Sequence, residues 1–318
     1  MRAVWLKEFG GPEALVAADA PDPVAGPGQA LIAVAFANIT FVETQVRAGV
    51  GPFAVTLPMI PGNGVGGVVA SVGAGADQGL VGRRVVSSTG GSGAYAERAA
   101  AEAGAIIEVP DGVELDTAVA LLADGRTAMS LVQAAALRPG ERALVEAAAG
   151  GVGTLLVQLA KAAGARVVAA AGGARKLEVA RDLGADMVVD YREPGWAERV
   201  REAVGGVDVV FDGVGGSIAR SAFALLDRGG RMLSFGLASG MWADITDEEA
   251  AERGVTLVSL PRMTPAVSRG LTERALAEAA AGRLRPVIGQ RFPLERAADA
   301  HAAIQSRATV GKTLLEMR

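Results

Sequence analysis

The run from Arg142 to Gly153, Arg-Ala-Leu-Val-Glu-Ala-Ala-Ala-Gly-Gly-Val-Gly, constrains this chain more than any other stretch. Ala143, Leu144 and Val145 read as a short buried strand that runs into a glycine turn. Beyond the turn, Val152, Leu155, Leu156, Leu159, Ala160 and Ala163 recur at helical spacing. A second apolar strand, Arg166 to Ala171, follows at once. Strand, glycine turn, helix and strand within about 30 residues is the setting that a dinucleotide fingerprint requires. Gly150 lets the backbone approach a pyrophosphate, and Gly153 lets the helix pack close to the strand. The N–H groups of the helix start, on Gly150, Gly151, Val152 and Gly153, face the anion. In the Gly-x-Gly-x-x-Gly frame the first glycine is replaced by Ala148.

Three more apolar strands follow at Asp186–Asp190, Val207–Phe211 and Arg231–Phe235, with helical stretches at Glu193–Val204 and Ser217–Leu226 between them. Such alternation predicts a parallel, doubly wound α/β sheet. Residues 1 to 110 read differently. Short strands at Arg2–Lys7, Ala30–Phe36, Val65–Val72, Arg83–Ser88, Ala94–Ala99 and Ala105–Val109 are separated by clusters of Gly and Pro, which predicts an all-β, barrel-like unit. Helical patterning begins near Leu115 and continues through Thr117–Leu122 and Thr127–Ala136. After Leu260 a helix, a proline-marked strand, a second helix and a last strand (Gly311–Glu316) return to the first domain. The expected domains are 1–123 with 262–318, and 124–261. An open α/β sheet binds ligands at the C-terminal ends of its strands, so the expected active site is a cleft between the two domains.

Composition excludes several classes. The net charge of −4 gives no footing for a nucleic-acid surface. With no cysteine there are no disulfides, thiolate metal sites or cysteine nucleophiles. A single histidine, His301, and no Gly-x-Ser-x-Gly elbow argue against a Ser-His-Asp hydrolase. No segment is apolar for the 18 or so residues that a spanning helix needs, and the N-terminus lacks a signal-peptide plan. A cytoplasmic protein that does not contact the membrane is the expectation.

The chain resembles the zinc-free quinone oxidoreductases of the medium-chain dehydrogenase/reductase superfamily, the group that contains zeta-crystallin. The resemblance is nearly end to end. It is carried by Ala147–Gly153, Gln158-Leu-Ala-Lys161, Leu183-Gly-Ala-Asp186, Asp208–Asp212, Ser234-Phe-Gly236 and Ser306-Arg-Ala-Thr-x-Gly-Lys312. It implies a GroES-like β-barrel domain plus a Rossmann domain. It also implies a homodimer paired through the Rossmann sheet edge near Thr256–Leu260.

An NAD-type cofactor usually meets an Asp or Glu about 20 residues past the glycines. Here the second strand ends Ala169-Ala-Ala-Gly-Gly-Ala-Arg-Lys176, with no acid and with Arg175 and Lys176 just beyond. Cations pair with a 2′-phosphate, so NADPH is favoured over NADH. By the resemblance, Gly172, Lys176 and Tyr191 border the adenosine phosphate, Thr127 binds the nicotinamide amide, and Phe235, Gly236 and Arg307 line the cofactor.

Zinc-dependent relatives hold their metal with Cys and His, often beside a Gly-His-Glu motif. The equivalent stretch here is Pro61-Gly62-Asn63-Gly64, and one histidine cannot build a tetrahedral zinc site. Without a Lewis acid, conjugated acceptors are favoured, because a quinone or enone spreads the incoming charge itself. The family's Asn-x-x-Asp-x-Tyr substrate loop becomes Thr40-Phe-Val-Glu43-Thr-Gln45. Thr40 and Gln45 are the candidate catalytic residues, and water is an alternative source of the proton. Glu43 is read as structural. Asn38 falls on a family glycine, a position it fills if its φ is positive. Arg126 is read as an ion-pair partner of Asp124. The expected function is NADPH-dependent quinone reduction. Reduction of α,β-unsaturated ketones or enoyl thioesters is the alternative, and NADPH binding with little turnover is a further one.

Overall fold

The computed structural model describes residues 1–260 and 262–317. The chain divides into two units, Met1–Arg126 with Thr264–Arg318, and Thr127–Met263. Strand-period patterning governs the start of the first. β1 (Arg2–Leu6) and β2 (Leu15–Asp19) pair antiparallel. β3 (Gln29–Ile39) is followed directly by a short helix, α1 (Phe41–Arg47). Then come β4 (Gly64–Val72), β5 (Arg84–Ser88), β6 (Arg98–Glu102) and β7 (Ile107–Glu108), and the long helix α2 (Leu115–Ala135).

The second unit alternates as its sequence period dictates. It contains β8 (Arg142–Val145), α3 (Gly151–Ala162), β9 (Arg166–Ala171), α4 (Ala174–Asp182), β10 (Met187–Asp190) and α5 (Trp196–Val204). It continues with β11 (Val207–Asp212), α6 (Gly216–Leu225), β12 (Leu226–Ser234), α7 (Asp247–Arg253) and β13 (Thr256–Leu257). The strands pair in parallel in the order β10-β9-β8-β11-β12-β13. This doubly wound order puts the C-terminal ends of β8, β9 and β11 side by side, where ligands bind in such sheets. Leu144, Val168, Val210, Phe223 and Met232 belong to the core of this unit.

The chain then returns to the first unit through α8 (Pro265–Ala280), β14 (Ile288–Pro293), α9 (Ala297–Gln305) and β15 (Lys312–Glu316). β14 and β15 extend the sheet, giving the order β14-β15-β3-β4-β5-β7 with β6 also on β3. The core under it includes Leu6, Ile32, Val65, Tyr95, Leu294 and Leu315.

Three expectations shift. The two helical stretches after Leu115 are one continuous helix, α2, which runs through Gly125. The strand expected at Ala94–Ala99 begins at Arg98, because Tyr95 instead exchanges backbone bonds with Val4 and Pro61. Asn38 is an ordinary strand residue paired with Leu314, and it is not among the residues with positive φ. No helix among the described residues is long and apolar enough to cross a membrane.

Candidate active site

In the second unit, β8 delivers the chain into a tight turn. Ala147 adopts a left-handed φ of 46°, and its carbonyl accepts the Gly150 N–H at 2.8 Å. Ala148 is fully buried and donates its N–H to Ala170 on β9. Gly150 is the N-cap of α3 and contributes no capping side chain, so nothing covers the first amides of the helix from that position. Gly153 lies against the turn itself: a Cβ there would sit 2.2 Å from the Ala147 carbonyl oxygen. The turn therefore forms with alanine at the first position of the fingerprint, because Ala147 carries the left-handed conformation one residue earlier.

Two buried carboxyls stand beneath this turn, at the ends of the neighbouring strands β8 and β11. Asp212 accepts the N–H groups of Val214 and Gly215 and the hydroxyl of Ser234. Glu146 is fully buried and makes no well-formed hydrogen bond to an N–H or O–H donor among the described residues; the nearby Val214 N–H is taken by Asp212. Burial first, and the Asp212 charge second, push the Glu146 carboxyl well above the ordinary carboxylate range. Phe235 and Gly236 follow β12, and Phe235 donates its N–H to the Asp212 carbonyl.

At the end of β9 the chain continues through Gly172 and Gly173 into α4, whose first turn carries Arg175 and Lys176. Tyr191 and Arg192 approach from the end of β10. Sequence reading passed over Arg192. It lies over Gly172 and Gly173 and is held by Asp190 through Nε at 3.1 Å and Nη2 at 2.8 Å. These bonds bring the Asp190 pKa down to about 2. The signal was present in the sequence as an Asp-Tyr-Arg run at the end of a strand.

Thr40 and Gln45 lie in the first unit, as does Arg307, which follows α9 with a φ of 58°. Thr127 is half-buried on α2 and belongs to the second unit. Thr40 is the N-cap of α1, and Gln45 lies within that helix. Glu43 ties this loop together. Its carboxylate accepts the N–H of Thr40 at 2.6 Å, the N–H of Asn63 at 3.0 Å and the Tyr95 hydroxyl at 3.3 Å. Burial raises the Glu43 pKa, and the Thr40 N–H, Lys312 and the Asn63 N–H oppose the rise. Asn63, on the family's histidine position, receives Ser88 Oγ and the Gly91 N–H on its side-chain oxygen.

Behind Glu43, Tyr95 Oη lies 3.0 Å from His301 Nε2, with the rings edge to face. Burial and then Arg47 push His301 down to about 3, so the imidazole is neutral at physiological pH. Tyr95 has one hydroxyl proton, and it goes to Glu43. The His301 Nε2–H therefore donates to Tyr95 Oη, which fixes the tautomer. Tyr95→Phe removes both bonds and is expected to lower stability by about 1–2 kcal/mol. Thermal unfolding checks this; an unchanged melting temperature contradicts the network. Arg126 bonds Ser268 at 2.6 Å, and the ion pair on Asp124 is made by Lys312 at 2.9 Å instead.

Residues 26–111 match the alcohol dehydrogenase GroES-like domain, and residues 151–276 match the zinc-binding dehydrogenase domain. With the parallel sheet and its glycine turn, these define a medium-chain dehydrogenase/reductase. Human quinone oxidoreductase is 32% identical over 320 residues, covering 99% of this chain and 97% of that protein. The structure of Escherichia coli quinone oxidoreductase complexed with NADPH superposes with a TM-score of 0.92 at 29% identity, covering 99% of this chain and all of the other. The chain belongs to the quinone oxidoreductase family. An NAD-dependent alcohol dehydrogenase superposes with a TM-score of 0.91 at 31% identity and 99% coverage of both chains, so overall shape does not choose between the two nicotinamide cofactors. The zinc in the matched domain's description has no donor set here. The chain has no cysteine, His301 is buried against Tyr95, and no group of three or more His, Cys, Asp or Glu among the described residues could hold a metal ion.

Proposed function

We propose that the protein reduces quinones with NADPH by hydride transfer, without a metal. The observation that carries this reading is a nucleotide cradle whose second strand ends in glycine and cations rather than in an acid. The residues fit the dinucleotide. The α3 amides are uncapped at Gly150, and the backbone is bare of side chains at Gly150, Gly151 and Gly153. NADPH, when bound, supplies the hydride.

Each part of the chain then has a task. The N–H groups from Gly150 to Gly153, with Val152, hold the pyrophosphate. Gly172, Arg175, Lys176 and Tyr191 border the 2′-phosphate. Thr127 holds the carboxamide, and Phe235, Gly236 and Arg307 line the cofactor. Thr40 or Gln45 donates a hydrogen bond to the acceptor's carbonyl oxygen as negative charge develops there. Glu43 has both oxygens engaged by donors that hold the Thr40 loop, so water delivers the proton. Two copies pair through the sheet edge at β13.

The test is NADPH oxidation by chelator-treated protein, with an aromatic quinone and a simple enone assayed side by side. Quinone turnover that chelator does not change is the expected result. Turnover of the enone alone moves the protein to enone reduction. Nucleotide binding without turnover of either makes it an NADPH-binding protein.

A further inference from the structure

Position 172 lies about 20 residues beyond the glycine turn, where an NAD-type chain places the acid that bonds the ribose 2′-hydroxyl. Here it is Gly172, and the space of a side chain at that position is already filled. A Cβ at 172 would sit 3.0 Å from Arg192 Cδ and 3.2 Å from its Nε, and one at 173 would sit 2.8 Å from its Nη2. Just beyond β9, where that acid would stand, this chain has a guanidinium reaching over from the residues after β10.

That guanidinium is not buried: the Arg192 side chain is 62% exposed, whereas the Asp190 side chain beneath it is 9% exposed. Asp190 takes only Nε and Nη2; the Nη1 edge lies outside the pair. Asp190 also has two backbone donors of its own, the Gly173 N–H at 2.8 Å and the Arg192 N–H at 2.9 Å. If the guanidinium leaves, the carboxylate keeps both. It does not become an unpaired buried charge, so the cost that normally prevents such a pair from opening is largely removed.

We propose that Arg192 selects a cofactor that carries a 2′-phosphate, and that the phosphate competes with Asp190 for its guanidinium. This rests on the NADPH reading above and adds a residue and an exchange to it. A planar guanidinium suits a phosphate because it can donate two parallel bonds. Arg192 also excludes the alternative cofactor chemistry, since an acid introduced at position 172 would meet Arg192 before it met a ribose.

Two substitutions with opposite signs test this. Arg192→Ala should lower the ratio of NADPH to NADH affinity about tenfold, chiefly through NADPH, as loss of one partly exposed charge-assisted contact implies. Asp190→Asn still offers an oxygen to the Gly173 N–H but releases Arg192, so the ratio should rise. Affinities are measured by titrating nucleotide fluorescence at low salt, and thermal melts confirm folding. Arg192→Gln replaces the alanine variant if that one is unstable. If both substitutions weaken both nucleotides alike, the pair only closes the β10 turn and the proposal fails. If Lys176→Ala lowers the ratio and Arg192→Ala does not, Arg192 is not the selector while the NADPH reading stands. If the unaltered protein shows no preference for NADPH, both fall together.

Discussion

Gly153→Ala is expected to raise the dissociation constant for NADPH about a hundredfold and to lower the melting temperature. The added methyl has nowhere to go. Its Cβ would lie 2.2 Å from the Ala147 oxygen, 2.8 Å from the Ala148 Cα and 2.9 Å from the Ala147 carbonyl carbon, all backbone atoms. Overpacking usually costs about 1–3 kcal/mol when side chains can yield. Here the yielding atoms are a turn already in the left-handed region and bonded at 2.8 Å to the Gly150 N–H. The cost to stability therefore belongs at the upper end, about 3 kcal/mol; the free turn relieves it by moving, and binding must restore the amide geometry against it, which corresponds to roughly a hundredfold in affinity. The displaced turn is also the one that presents the α3 amides. Gly150→Ala is the control: its Cβ would be 3.2 Å from the same oxygen, and its φ of −83° suits any residue. It should fold normally, so any affinity it loses comes from the methyl facing the pyrophosphate and not from a displaced turn. Nucleotide titration with a thermal melt of each variant decides the matter. If Gly153→Ala binds NADPH within about threefold of the unaltered protein, the turn is more pliable than the packing implies.

The second unit was legible because its strands are continuous apolar runs and its helices are amphipathic, so period and length agree. The first was legible only in outline. α1 has seven residues and follows an eleven-residue strand directly, too short for a helical period to register. Its one local sign was Thr40-x-x-Glu43, a capping box. That sign also foretold what Glu43 does, since its carboxylate reaches back to the Thr40 N–H. His301 sat on the expected helix, yet its burial and its bond to Tyr95 join residues 206 positions apart, which no local pattern carries. Arg192 was missed for a related reason. The acid's absence on β9 is visible in sequence, but the residue that fills its place comes from the next strand. The carboxyl pair was likewise invisible, because Glu146 and Asp212 meet only through the β8–β11 pairing.

That pair gives the second large effect. Val145 is in register with Phe211, so Glu146 and Asp212 leave adjacent parallel strands together. Both are fully exposed to each other's field and not at all to water. Asp212 already accepts two N–H groups and the Ser234 hydroxyl, while burial and the neighbouring Asp212 push the Glu146 carboxyl up, so the proton shared between the two carboxyls is held on the Glu146 side. In the unfolded chain Glu146 loses that proton above about pH 4.3. In the folded protein it holds that proton to higher pH. The folded state therefore binds more protons, and stability falls as pH rises from the unfolded value toward the raised folded one. Glu146→Gln preserves a donor toward Asp212 and has nothing to titrate. It should be more stable than the unaltered protein at pH 7–8 by on the order of 2 kcal/mol, with the gap closing as the pH approaches about 4. Melting temperatures of both proteins from pH 4 to 9 test this. A constant offset across that range would mean that the proton is not held on Glu146. A less stable glutamine variant at every pH would mean that the carboxyl makes a contact its amide cannot replace. Because Glu146 directly precedes Ala147, a proton held there also keeps a second negative charge away from the turn that receives the pyrophosphate.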